Sequence, residues 1–301
     1  MNRTLQLLIL SDGKPGHHNQ SLGLAEALAR LTPTQFRSIA LPDYPRGIKV
    51  FKALQKAIQG PRPDWIIATG HGTHLCAIVL SRWLRARSII LMKPSLPTAL
   101  FDACLIPSHD LINRTLQANV IPTTGALNRI THSREKEAMG LIMVGGDSKE
   151  FSLEEEDLRR AISAVIQSQK LDWHITDSRR TADGFLSSLH DLPATLHPHQ
   201  NTGPEWLPRQ LTRASVAWVT RDSVSMIYEA LSSGARVGLL PMKPRKPHSK
   251  ISEAVDQLCA QGYLTTFKDL QQTGRLLQSP PLAEADRCAE ILLHQLSSTA
   301  S

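Results

Sequence analysis

Residues 215–242, SVAWVTRDSVSMIYEALSSGARVGLLPM, read as strand, polar turn, helix, glycine stop and second strand, an order that commits this part of the chain to a parallel, helix-covered sheet. Residues 216–219 and 236–240 are short apolar runs of the kind that fill a strand buried on both faces. Parallel neighbours need a crossover, and residues 223–232 supply a helix for it, with Gly234 placed for the left-handed residue that ends it. Ser223 and Ser225 set hydroxyls beside the unpaired N–H groups of the helix start, where the dipole favours an anion. Glu229 follows roughly a turn and a half later. One serine ahead of a helix is usually only a cap, and one helical glutamate usually only solvated. Two serines, Glu229 and Gly234 together between two strands favour a site, with a phosphate at the helix tip and ribose hydroxyls on the carboxylate. Asp222 and Met226 flank the serines and join these candidate contacts.

The same alternation runs along the whole chain. Residues 5–10, 36–41, 65–69, 88–92, 103–107 and 120–123 read as strands, with helical patterns between the first four. Residues 131–138 are polar and charged, as a linker is. The rhythm then restarts with a strand at 140–144, a helix at 153–169, a strand at 173–176 and a helix at 181–190, ahead of the 215–242 unit. At 301 residues the chain exceeds one comfortable core. The expectation is an α/β fold of two Rossmann-like domains, residues 1–132 and 133–301. A last helix at 282–296, after two prolines, is free to cross back onto the first domain.

In open parallel sheets, ligands gather beyond the carboxyl ends of the strands, so the loops there are the places for a site. Residues 11–20, SDGKPGHHNQ, precede a helix expected at 21–31. Gly13 and Gly16 allow close backbone approach, Lys14 can meet a phosphate, and Asp12 or His17 can take a proton, with Asn19 and Gln20 as further polar contacts. An ordinary polar turn is the plainer reading, but the density of acid, base and amide groups favours a site. Residues 144–149, VGGDSK, offer Gly145 and Gly146 as an anion nest with Ser148 and Lys149 beside it. Residues 176–181, TDSRRT, place Arg179 and Arg180 after another strand. His71 and Gly70 end a third strand, where they can touch an acceptor or merely start a helix.

The sequence lacks GxGxxG and a Walker loop, which speaks against a dinucleotide site or ATP hydrolysis, and it lacks GxSxG, HExxH and DxD, so no metal is called for. Cys76, Cys104, Cys259 and Cys288 are scattered without a CxxC and read as reduced core thiols. No apolar run is long enough to span a bilayer, and a cytoplasmic protein follows. The net charge is +7, and it is uneven: residues 1–130 hold 15 Lys/Arg against 6 Asp/Glu. Within that half, Arg46, Lys49, Lys52 and Lys56 alternate with Ile48, Val50, Phe51, Leu54 and Ile58. That helix can rest on anionic lipid with Phe51 or Leu54 at the acyl boundary, or it can turn its apolar side to the core and its lysines to water. Nothing beyond charge points to nucleic acid, so no specific nucleic-acid partner is expected.

Five segments carry a resemblance: SDGKPGHHNQSLGLAEAL at 11–28, TTGALNRI at 123–130, VGGDSKEF at 144–151, DSRRT at 177–181 and VTRDSVSMIYEALSSGARV at 219–237. Together they resemble the mitochondrial-fission "elongated mitochondria"-like proteins of plants and bacteria, which are predicted glycosyltransferases. The resemblance implies a GT-B architecture, two Rossmann-like domains facing across a cleft, in which the second domain binds a nucleotide-diphosphate sugar and the first binds the acceptor. No cofactor is implied beyond that donor substrate. His17, or Asp12 in its place, would be the base. The 11–20 loop is also similar to the GTGGH loop of the peptidoglycan precursor glycosyltransferase, which works on a lipid-linked substrate at the membrane, although Lys14 and Pro15 here replace small residues. A membrane-peripheral location with an anionic surface or a lipid-linked acceptor as partner would suit the basic first half. Plant relatives are associated with recruiting a dynamin-like fission protein, so a non-catalytic adaptor on the same fold is the alternative. Sugar, base and oligomeric state stay open.

Overall fold

The computed structural model describes residues 3–41, 46–111, 116–246, 249–280 and 282–297. The chain divides into two units, Met1–Arg129 with Ala283–Ser301, and Ile130–Leu282.

In the first unit, strands β1 (Leu5–Ser11), β2 (Thr34–Ala40), β3 (Trp65–Thr69), β4 (Arg87–Leu91), β5 (Ala103–Pro107) and β6 (Val120–Thr123) form one sheet of order β2-β1-β3-β4-β5-β6. Every neighbour in it is parallel. The side-chain alternation of β1 shows how the sheet is covered. Leu7 and Ile9 pack on one face against Leu24 and Leu28 of helix α1 (Pro15–Leu31), whereas Leu8 and Leu10 pack on the other against Ala53, Ala57, Ala77 and Leu80. Those last four belong to α2 (Arg46–Ala57) and α3 (His74–Leu84).

In the second unit, β7 (Glu137–Met143), β9 (Asp172–Thr176), β10 (Thr195–His197), β11 (Ala214–Thr220), β12 (Arg236–Leu240) and β14 (Thr265–Thr266) form a parallel sheet of order β10-β9-β7-β11-β12-β14. The short β8 (Phe151–Ser152) and β13 (Lys243–Pro244) pair antiparallel. Leu158, Ile162 and Val165 of α4 (Glu155–Ser168) cover one face with Leu270 of α8 (Phe267–Thr273). Leu211 of α5 (Trp206–Arg213), Ile227 and Leu231 of α6 (Val224–Ser233) and Val255 and Leu258 of α7 (Lys250–Ala260) cover the other. The last helix, α9 (Glu284–Ser297), lies on α1 in the first unit, with Ala289 and Leu292 in that core, an Arg30–Asp286 ion pair at 2.5 Å, and Arg287 donating to the Pro122 carbonyl at 2.6 Å.

Three expected elements differ. α1 begins at Pro15, six residues ahead of the helix expected at 21–31, because proline at the first helical position presets φ and gives up an N–H that had no partner there. His17, Asn19 and Gln20 are therefore helical residues. The helix expected at 181–190 is only a 3₁₀ turn, Ser187–Leu189, since Gly184 breaks the path at φ +82°. The stretch 131–138 is no free linker: Lys136 donates from Nζ to the Leu211, Thr212 and Ser233 carbonyls at 3.1, 3.0 and 2.7 Å, closing the C-terminal ends of α5 and α6. Burial pulls this lysine down to about 8, so it still carries its charge at neutral pH. Lys136→Ala is expected to cost about 2–4 kcal/mol at pH 7, because three carbonyls lose a charged donor; urea unfolding reads this, and an unchanged midpoint would show the three bonds to be idle.

Candidate functional site

Each sheet has one switch point, where strand order reverses and the loops beyond neighbouring strands diverge to leave a crevice. In the first unit it lies between β1 and β3, and in the second between β7 and β11.

At the first switch point, the turn after β1 and the start of α1 bring Asp12 and His17 together. Asp12 Oδ2 lies 2.8 Å from His17 Nδ1, and Asp12 Oδ1 accepts the Lys14 N–H at 3.1 Å. With Nδ1 turned to the carboxylate, the imidazole keeps Nε2 as its free acceptor. The turn after β3 completes the arrangement. A Cβ on Gly70 would stand 2.4 Å from Asp12 Oδ2 and 2.5 Å from His17 Nδ1, and φ there is +91°, so only glycine fits. His17 opens on a cavity of about 260 Å³ lined also by Gly70, His71, His74, Met92, Lys93 and Asp110. His74 is buried with Nδ1 3.2 Å from Ser95 Oγ; desolvation, and then neighbouring His71, hold it down to about 4, so it is a neutral wall of the cavity. Met92 has φ +68°, an uncommon state for a side chain of its size, at the mouth of the same cavity. Gln20 points Nε2 at Met92 Sδ, 3.6 Å away. Gly13 takes φ +86° in the turn, and Lys14, Gly16 and Asn19 are exposed.

At the second switch point, loops after three adjacent strands, β9, β7 and β11, interlock. Arg180 holds Asp222 Oδ2 at 2.7 Å and donates to Ser223 Oγ at 3.1 Å and the Gly146 carbonyl at 3.3 Å. Asp222 is fully buried and also accepts the Gly146 N–H at 3.2 Å. A Cβ on Gly145 would meet Ser223 Oγ at 2.2 Å, and one on Gly146 would meet the Arg180 carbonyl at 1.8 Å. Arg180 is thus matched by Asp222, and the pair fixes the turn ahead of α6 rather than leaving a bare guanidinium. Ser148 is likewise engaged, accepting the Phe151 N–H at 3.0 Å within its own turn. Lys149, Arg179 and Ser225 are exposed, and Met226 packs partly against the core.

Glu229, on α6 behind this cluster, forms no hydrogen bond or ion pair among the described residues. It is mostly sheltered from water, and desolvation lifts it to about 7. The fold therefore keeps a carboxylate without a partner a turn and a half behind a helix tip ringed by Gly145, Gly146 and Ser223.

In the sequence His74 stands out only as one of a His71–His74 pair with no carboxylate or cysteine companion at ligand spacing, and Met92, Lys93 and Asp110 not at all. Their common signal is position, since they follow β4, open α3 or follow β5, all beyond carboxyl ends of the first sheet. His197 ends β10 and His199 lies in a short 3₁₀ turn, with His197 Nε2 2.8 Å from His174 Nδ1 and His199 Nδ1 3.0 Å from Asp177. Among the described residues no group of three or more His, Cys, Asp or Glu is arranged to hold a metal. The four cysteines are free thiols, and burial pushes Cys104 and Cys288 up to about 12.

Two parallel six-stranded α/β units in tandem define a GT-B type fold, the class shared by nucleotide-sugar glycosyltransferases and UDP-GlcNAc 2-epimerases. The UDP-GlcNAc 2-epimerase of Neisseria meningitidis, solved with UDP-GlcNAc, superposes with a TM-score of 0.60 at 12% identity, over 98% of this chain and 100% of that one. MurG of Acinetobacter baumannii gives 0.56 at 12% identity, over 96% and 99%. The chain belongs to the family described as mitochondrial fission ELM1, which matches residues 15–296. A relative in Rickettsia prowazekii, the uncharacterized protein RP120, is 24% identical over 96% of this chain and 98% of its own.

Proposed function

We propose that the chain is a glycosyltransferase that moves a sugar from a nucleoside-diphosphate donor to an acceptor hydroxyl, in the cytoplasm. The observation that carries the reading is Glu229, an unpartnered and desolvated carboxylate behind the start of α6. Two ribose hydroxyls would donate to it, while the diphosphate meets the N–H groups at the tip of α6; the expected nest of Gly145 and Gly146 is closed, because their N–H groups are given to Thr220 Oγ1 and Asp222 Oδ2. Lys149 and Arg179, exposed on the loops after β7 and β9, would be the cations for the departing diphosphate, in the role a metal fills in other transferases. His17, held by Asp12, would take the proton from the acceptor hydroxyl in the cavity of the first unit. The Neisseria epimerase binds UDP-GlcNAc on the same fold, which supports a nucleotide sugar as partner.

Titration of the purified protein with UDP- and GDP-sugars tests the donor half. Saturable binding is expected, weakened at least about tenfold in Glu229→Ala, because hydrogen bonds to a charged group are lost. No saturation, or an unchanged variant, would count decisively against the reading. The family's description favours a second reading, an adaptor in membrane fission that retains the nucleotide as a structural ligand. Release of free nucleoside diphosphate on adding acceptor separates the two, since an adaptor binds the donor and turns none over.

A further inference from the structure

Both α2 and α3 cover the same face of the first sheet, with Ala53, Ala57, Ala77 and Leu80 turned inward. Their outward sides therefore share one direction, and large apolar side chains stand exposed on both, among lysines and arginines. On α3, Leu75, Val79 and Trp83 recur at every fourth position and form one stripe along the helix, with Leu75 43% and Trp83 57% exposed. On α2, Phe51 is 67% and Ile48 49% exposed, and Ile58 just beyond it 56%. Leu54, by contrast, packs on the core, so of the two residues expected at an acyl boundary only Phe51 faces outward.

The charge around this stripe has one sign. Lys49, Lys52, Lys56, Arg62, Arg82 and Arg85 lie on or beside the two helices, and between residues 46 and 101 Asp64 is the sole acidic residue. Asp64 is already held by Arg3 at 2.7 Å. Exposed aromatic and aliphatic side chains rimmed by cations match the two layers of an anionic bilayer, acyl boundary and headgroups. The face is also continuous with the candidate acceptor cavity. A hollow of about 250 Å³ at the seam of α2 and α3 is lined by Lys49, Val50, His71, Gly72, Leu75 and Cys76, and His71 lines the cavity of His17 as well.

We propose that the outward side of α2 and α3 docks on an anionic lipid bilayer and so presents the His17–Asp12 cavity to an acceptor carried by that bilayer. The second half of the statement rests on the transferase reading; the docking itself does not. Anionic phospholipid is the occupant favoured over a protein, because among residues 46–101 the sole carboxylate beside the apolar stripe is Asp64, which Arg3 holds.

Co-sedimentation with phosphatidylcholine–phosphatidylglycerol vesicles, with no donor present, tests it. Binding is expected to fall at least about tenfold on pure phosphatidylcholine or at raised salt. Phe51→Ser with Trp83→Ser, and separately Lys56→Glu with Arg82→Glu, should each weaken it at least about tenfold. Both double variants should keep wild-type affinity for the nucleotide sugar, which shows that they fold and that the donor reading stands or falls independently. Wild-type protein left in the supernatant, or variants that sediment like wild type, would overturn the proposal. So would a wild-type dimer that Phe51→Ser with Trp83→Ser dissociates in sedimentation velocity, since a second copy would then be what covers the face.

Discussion

Replacing His17 with alanine should lower the rate of sugar transfer by about 10²- to 10⁴-fold while leaving donor affinity near its wild-type value, as expected when a positioned general base is removed. The separation follows from placement. His17 lies on α1 in the first unit, and every candidate donor contact from Gly145 to Glu229 lies in the second. Asp12→Asn should cost nearly as much. The carboxylate accepts from His17 Nδ1 at 2.8 Å and from the Lys14 backbone at 3.1 Å, so it fixes both the ring and its tautomer. An asparagine can present its amide N–H to Nδ1, which moves the ring proton to Nε2 and removes the base. Gly70→Ala attacks the same pair from the other side, since its Cβ would stand within 2.5 Å of both partners. Single-turnover rates at saturating donor measure all three. If His17→Ala transfers sugar at the wild-type rate, the base lies elsewhere; if only Asp12→Asn is slow, the aspartate acts directly.

What could be read from the chain before folding was whatever depends on neighbours in sequence. The strands stand out because apolar runs such as 65–69 and 236–240 are bounded by glycine, proline or polar turns; those two coincide with their observed limits, whereas 36–41 and 140–144 shift to Thr34–Ala40 and Glu137–Met143. The start of α1 was hidden because loop-like residues, from Gly16 to Gln20, compose its first turns behind Pro15. The reverse error arose at 181–190, where buried Phe185, Leu186 and Leu189 imitate a helical stripe that Gly184 does not permit. α5 escaped notice because Pro208 lies inside it, yet in the first turn proline forfeits no hydrogen bond. The site divides along the same line. Asp12 and His17 are five positions apart and legible as a pair. The role of Gly70 is not, because only the pairing of β3 with β1 brings it there. The sequence shows Arg180 only as a cation after a strand for the same reason: its partner Asp222 arrives from a different loop, through the order β9-β7-β11.

Glu229 makes a second large effect measurable, as a pH dependence of donor binding. In the free protein, burial raises its carboxyl from 4.5 to about 7. Between those values the folded state holds a proton that the unfolded chain has lost, so its contribution to stability is full below pH 4.5 and is lost as pH rises through 7. The shift corresponds to roughly 3 kcal/mol, and Glu229→Gln should therefore make the free protein more stable than wild type at pH 8 by an amount of that order. Binding must run the opposite way. Ribose hydroxyls donate to the charged form, so a bound nucleotide sugar draws the carboxyl back down and expels its proton. Affinity for a UDP-sugar, whose diphosphate diester has no proton to lose in this range, is expected to rise about tenfold per pH unit toward pH 7 and to level off above it. Glu229→Gln should bind weakly at every pH with a flat profile. Calorimetry in buffers of different ionisation enthalpy counts the proton directly, and about one should leave per nucleotide bound at pH 6. A wild-type profile as flat as that of Glu229→Gln, with no proton released, would mean that the ribose does not reach this carboxylate, and that the helix tip alone holds the donor.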